Sequence, residues 1–230
     1  IGQVIRGTLE DLIDRRREAE TILRKFIREE GLRAFPVVIV EENIHAAIKA
    51  LLQCHGIGGI RPNTVLLGWS QDPDKAGVFA ETLSIAKRMK RSLIIAACEQ
   101  EQEKTHISDG AINLWWANDL NGTLMLLLAF LLKKNPEWRD HPLRIIRPVA
   151  PRADVKNIEK EMREMMAQAR IEAELAIIPT ETPLEAVRWA MQPSAVLFAG
   201  FEPADADPAA IISGLQQTVD LPGDIMLVYN

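Results

Sequence analysis

Apolar and polar positions alternate in blocks along the chain. Leu9, Leu12, Ile13, Leu23, Phe26 and Ile27 fall at roughly helical spacing with charges between them, so a helix is expected from Leu9 onward. Thr8, followed by Asp11 three residues later, reads as its capping box. After Gly31 the texture changes to FPVVIV, a β-branched run of the kind that forms a strand covered on both faces. Strand-like runs recur at 64–68 (TVLLG), 93–97 (LIIAA), 111–116, 143–149, 173–178, 195–199 (AVLFA) and 225–229. Helical segments lie between most of them, at 44–53, 75–90, 123–133, 155–169, 184–191 and 209–218. Thr182-Pro183-Leu184-Glu185 combines an N-cap, a first-turn proline and a capping-box glutamate, and Asp207-Pro208 repeats the cap and proline. The exception is 99–109, EQEQEKTHISD, which is too polar to cross a sheet face and reads as a surface loop or hairpin extension.

Strand and helix in repetition mean crossover connections. The expected class is therefore α/β, with mostly parallel sheets and helices on both faces. NPEWRDHP and the later PVAPRAD punctuate the chain near its middle, and strands on either side end alike at a glycine, TVLLG and AVLFAG. Two similar α/β subdomains, 1–140 and 141–230, are the expectation, with one continuous sheet as the alternative.

The stretch GAINLWWANDLNGTLMLLLAFLLKK holds nine consecutive apolar residues before Lys133-Lys134. A bilayer span needs about 20, so no direct membrane insertion is expected. A helix apolar on all sides instead predicts a fully covered internal helix. Trp115 and Trp116 are adjacent in a strand, which sends one ring under each helix layer. Asn118, Asp119, Asn121 and Gly122 then make the turn and cap the helix. In 155–169, Val155, Ile158, Met162, Met165 and Ala169 share a face, with Glu159/Arg163 and Lys160/Glu164 as outer pairs.

Composition narrows the partners. At 47% hydrophobic and 26% charged the chain reads as an ordinary globular protein, and its net charge of -5 argues against nucleic acid, which needs a basic patch. Cys54 and Cys98 lie in apolar surroundings without CxxC spacing, so both are expected as reduced, buried thiols. The N-terminus turns charged at once, unlike a signal peptide, and the missing initiator Met suggests a fragment.

Catalytic chemistry finds little support. His45, His55, His106 and His141 lack metal-ligand spacing, and no GxSxG, P-loop, HExxH or GxGxxG occurs. No enzyme and no metal site is expected. The nucleotide candidates are Gly56, Gly58 and Gly59 in CHGIGGIRPNTVLLGWS, together with Ser70. These glycines follow a helix and precede a strand, the reverse of a phosphate cradle, so Gly56 also reads as a left-handed helix cap. Ser70 sits at a strand end that opens a helix, where anions gather, yet Asp72 and Asp74 would repel a phosphate. Asp119, at another strand end, has no base or nucleophile beside it.

The order GIGGIRPNTVLLGW, then INLWWANDLNGTLMLLLAFLLKKNPEWRDHPLRI, resembles the cytosolic C-terminal domain of the cation-chloride cotransporters. The likeness runs nearly end to end, from VIRGTLEDLIDRRREAE through ARIEAELAIIP to AVLFAGF and IMLVYN. Residues 179–194 are short and lack the long phosphorylated insertion of many animal members, so a compact, prokaryotic-type member is implied. The resemblance implies a fold like universal stress proteins, homodimerisation, and influence on transport without a transport site of its own. It also implies a transmembrane domain in the same parent chain, moving chloride with sodium, potassium or both, and a location on the cytoplasmic side of the plasma membrane. A nucleotide sensor of stress-protein type, binding ATP, is the alternative; otherwise no cofactor is expected.

Overall fold

The structure is a computed structural model and describes residues 1–54, 56, 62–70, 72–98, 109–203 and 208–230. In chain order the elements are β1 (Gly2–Arg6), α1 (Leu9–Glu29), β2 (Val37–Glu41), α2 (Ile44–Cys54), β3 (Thr64–Gly68), α3 (Pro73–Arg88) and β4 (Ser92–Ala97). There follow β5 (Ala111–Trp115), α4 (Asp119–Leu132), a 3-10 turn (Pro136–Trp138), β6 (Leu143–Val149), α5 (Val155–Ala169), β7 (Glu174–Pro179), α6 (Pro183–Ala190), β8 (Ser194–Gly200), α7 (Pro208–Val219) and β9 (Asp224–Tyr229). Each apolar run named from the sequence forms a strand. The expected polar loop at 99–109 lies outside the described residues except for Asp109, as does the cap expected at Asp207.

Seven strands form one sheet in the order β3-β4-β9-β8-β5-β6-β7, and β1 pairs with β2 in a second, two-stranded sheet. All pairings are parallel except β4 with β9, where Leu93 stands opposite Tyr229 and Ala97 opposite Ile225. The sheet crosses the boundary expected at residue 140, because β5 and β6 on either side of it are hydrogen-bonded neighbours. The five strands β5 to β9 are parallel to one another and carry four helices as crossovers. The block β3-β4 runs the other way and joins them only along β9.

Helices cover both faces of the large sheet. On one, Leu83 and Ala86 of α3, Val187 of α6, and Ile211 and Leu215 of α7 pack on Leu93, Ile95, Ile146, Leu197 and Leu227. On the other, Met125 and Ala129 of α4 and Met162 and Met166 of α5 pack on Ile112, Leu114, Ile145 and Phe198. Each fully buried Leu or Ile of this kind contributes about 1.5–3 kcal/mol. The tryptophan pair divides as its alternation requires: Trp115 joins the first cluster and Trp116 the second. The outer pairs of α5 also form, with Arg163 Nη2 2.7 Å from Glu159 and Lys160 Nζ 3.9 Å from Glu164.

Several local expectations are corrected. Thr8 stands at the N-cap of α1 but accepts no backbone N–H from the helix; its hydroxyl donates to Asp11 Oδ2 at 2.6 Å. Thr182 likewise caps α6 by position without a side-chain bond to the helix; its own N–H donates to Thr180 Oγ1 at 3.0 Å. Cys54 and Cys98 are exposed, because α2 and β4 both end at the protein surface. β1 was not expected from the sequence at all.

Candidate functional site

In a parallel sheet, ligands gather where neighbouring strands send their crossovers in opposite directions. Here that point lies between β5 and β8, at their carboxyl ends, beside the first turn of α4. It is closed by Asn121, a buried residue whose Nδ2 donates to Phe201 O at 3.0 Å and whose Oδ1 accepts from Asn230 N at 3.0 Å. A Cβ added at Gly200 would lie 2.8 Å from Asn121 Nδ2, so the amide fills the space that the glycine leaves. The neighbouring Asp119 does not cap α4 as expected. Its Oδ1 accepts from the indole Nε1 of Trp116 at 2.8 Å and lies 3.9 Å from Arg147 Nη1. Asn118 occupies the N-cap position without a side-chain cap. Polar side chains here tie strand ends together and present no nucleophile.

The sequence candidates for a nucleotide are described only in part. Gly58 and Gly59 lie outside the described residues; Gly56 is exposed beyond the end of α2, and its expected left-handed cap involves residues 55 and 57, outside that set too. Ser70 is half-buried after β3, and its Oγ accepts from Asp72 N at 3.3 Å. Asp72 Oδ1 accepts from Asp74 N at 3.1 Å and forms the N-cap of α3. A hydrogen bond from Lys75, then that backbone N–H, holds the Asp72 carboxyl below its ordinary range. The donors that an incoming anion would use are thus taken up by the chain's own oxygen atoms. Among the described residues no group of His, Cys, Asp and Glu could hold a metal ion.

Two clefts lie elsewhere on the protein. One, of 610 Å³, lies between the small sheet and β3 and is lined by Val4, Val37, Leu51, Leu66 and Arg91. The other, of 690 Å³, lies where α4 and α5 end, with Phe130, Lys133, Lys134 and Arg170 on its walls.

The most unusual surface belongs to α4. The helix was expected to be covered all round, yet Leu120, Leu127, Phe130 and Leu131 are 69%, 51%, 52% and 55% exposed. The helix rests on β5, β8 and β9 through Met125, Leu126 and Ala129 and leaves its opposite side open. Composition alone hid this, since an outer face as apolar as the inner one looks like burial. Among the described residues no helix is long and apolar enough to cross a membrane.

Comparison with known proteins decides the family. The model of "Solute carrier family 12" matches residues 1–81 and 75–189. The chain belongs to solute carrier family 12. A potassium/chloride cotransporter of Caenorhabditis elegans is 30% identical over 183 residues, covering 76% of this chain and 17% of that protein. The solute carrier chain described here thus spans about a sixth of the length of that curated relative. The resemblance to cation-chloride cotransporters is borne out.

Two solved structures share the fold of this family member. The cytoplasmic domain of a prokaryotic cation chloride cotransporter superposes with a TM-score of 0.67 at 16% identity, over 100% of this chain and 84% of the other. A universal stress protein from Archaeoglobus fulgidus gives 0.60 at 15% identity, over 95% and 77%. The α/β class with a stress-protein-like fold is therefore as expected from the sequence.

Proposed function

We propose that this chain is the cytoplasmic regulatory and self-associating domain of a transporter that moves chloride with sodium, potassium or both. It carries no transport site and catalyses no reaction. Its partners are a second copy of itself and the transmembrane domain of the same parent chain. The observation that carries this reading is the solute carrier match over residues 1–189 in a chain none of whose described helices is both long and apolar enough to span a bilayer.

The mechanism is coupling. Association of two such domains constrains how two attached membrane domains sit, and a shift in that association favours one transport state over another. Deleting the domain from the full transporter tests this. The expected result is altered dimer content and altered chloride-dependent cation uptake at equal surface level; unchanged assembly and flux would sink it.

The likeness to a universal stress protein favours a second reading, nucleotide sensing. Titration calorimetry with millimolar ATP, with and without magnesium, separates the two. The regulatory reading expects no heat from the domain, because Asn121 fills the strand-end crevice and Asp72 occupies the α3 N-terminus.

A further inference from the structure

We infer that the open face of α4 is the surface on which two copies of this chain associate, as an antiparallel pair of α4 helices about a two-fold axis. This deepens the proposed self-association and rests on it.

Three features of the face point to a second copy. The first is periodicity. Leu120, Leu124, Leu127 and Leu131 are spaced by four, three and four residues, and at about 100° per residue they fall within an arc of about 60° on one side of the helix. Spacing of that kind is the seam of a helix that packs knobs-into-holes on another helix. Leu124 is half-buried and flanks the second core cluster, so the seam continues the domain's own packing outward.

The second feature is that the spacing reads the same in both directions. Reversed about a two-fold axis between residues 125 and 126, Leu120 of one copy meets Leu131 of the other, and Leu124 meets Leu127. An isologous interface requires such self-complementarity, and an unrelated helix would not. The exposed apolar residues of α1 lack it. Leu9 precedes a kink at Leu12, and Ile13 beyond it lies on roughly the opposite side of the helix from Ile22 and Phe26.

The third is charge. Asp119, 3.9 Å from Arg147 but with its side chain 82% exposed, begins α4, whereas the exposed Lys134 follows its end with its ammonium 4.6 Å above the Phe130 ring; the half-buried Lys133 beside it donates to His141 O. Antiparallel docking brings the acidic end of each helix to the basic end of the other and opposes their dipoles. A parallel arrangement would place like charges together.

One helix face of this length, about 16 Å, is smaller than a standard interface, so the 230-residue chain is expected to dimerise weakly in solution. Attachment of two copies to associated membrane domains raises the effective concentration to roughly millimolar, which favours the contact while leaving it reversible.

Sedimentation velocity of the 230-residue chain across a concentration series tests the surface. The expected result is a concentration-dependent dimer whose dissociation constant rises by about tenfold or more in Leu127→Glu. Trp189→Glu, at an 81% exposed position on α6, is expected to leave it unchanged. Circular dichroism melts confirm that each variant folds; a Leu127→Glu chain that fails to fold is replaced by Leu127→Gln. Mixing Leu124→Glu with Leu127→Lys should restore dimers, since the docking sets these two positions opposite each other. A wild-type dimer indifferent to the α4 substitutions would overturn the surface and leave the self-association reading standing. A wild-type chain that remains monomeric even at millimolar concentration would overturn both. Loss of dimer without rescue in the mixture would overturn the antiparallel arrangement.

Discussion

Replacing Gly122 by alanine should destabilise the domain although it places a better helix former inside α4. The added methyl would lie 2.4 Å from Trp116 Cζ2 and 2.5 Å from Cη2, whereas carbon atoms rest comfortably at about 3.5–4.0 Å. Trp116 is 3% exposed and anchored through its Nε1 to Asp119, so the ring must retreat by about 1 Å into an already filled cluster. Overpacking of that kind costs about 1–3 kcal/mol. Losing the bond to the Asp119 carboxylate adds about 1.5–3 kcal/mol. Against these, alanine gains only about 1 kcal/mol of helix propensity. The net loss is about 1.5–5 kcal/mol, and each kcal/mol lowers Tm by about 2–4 °C at this chain length. Urea unfolding followed by tryptophan fluorescence measures it. Gly77 in α3 and Gly214 in α7 supply the controls, because an added Cβ at either meets nothing within 4 Å. Alanine there should stabilise by about 0.5–1 kcal/mol. If all three substitutions moved the transition midpoint in the same direction, the close approach of Trp116 to α4 would be wrong.

Asn121→Ala leaves Phe201 O and Asn230 N without their partner and should lower stability by about 1–3 kcal/mol, read as a drop in Tm of several degrees in calorimetric scans. Glu81 of α3 binds Lys49 Nζ at 2.6 Å and also pairs with His45 of α2; the Lys49 bond, more than the His45 one, holds its carboxyl below the ordinary range. A depressed folded value stabilises above the unfolded one and is lost as pH falls through the folded one. Glu81→Gln should therefore be less stable than wild type at neutral pH, and the two should converge once acid protonates Glu81; a gap that persisted under acid conditions would refute the pairing. Asn113 is fully buried, with Nδ2 donating to Met191 O at 3.0 Å and Ser194 Oγ at 2.9 Å. Asn113→Leu, which strands those acceptors, should cost about 1–3 kcal/mol in urea titrations.

The sequence carried the strands of the large sheet because each is covered on both faces, so its apolar run is continuous. β8 shows this best, with five successive buried positions in SAVLFAG. β1 left no such trace: GQVIR is exposed at three of five positions and forms its strand by pairing with β2, which local propensity does not encode. Strand order was equally invisible. Nothing local in LIIAA or IMLVY says that one will run against the other, since the pairing joins segments about 130 residues apart whose covering helices, α3 and α7, also meet only in the folded chain. Cap positions were readable but cap chemistry was not; Thr8 and Thr182 mark helix starts, while their hydrogen bonds depend on rotamers. The exposed face of α4 was misread because composition does not distinguish the two sides of this helix. A helix that keeps an apolar outer surface carries the same composition as one buried in a core.

The antiparallel seam between β4 and β9 sets a timetable for synthesis. β3 and β4 are made early but touch the rest of the large sheet only along β9, the last of its strands to be translated. About 130 residues separate the two, which at roughly 5–20 residues per second is an interval of about 6–25 s. Throughout it, the edge of β4 that β9 will cover stays unpaired on the nascent chain, an open template for a neighbouring polypeptide. When the first half of this domain leaves the ribosome it is therefore in need of shelter, and a translational pause downstream of β4 would prolong that need.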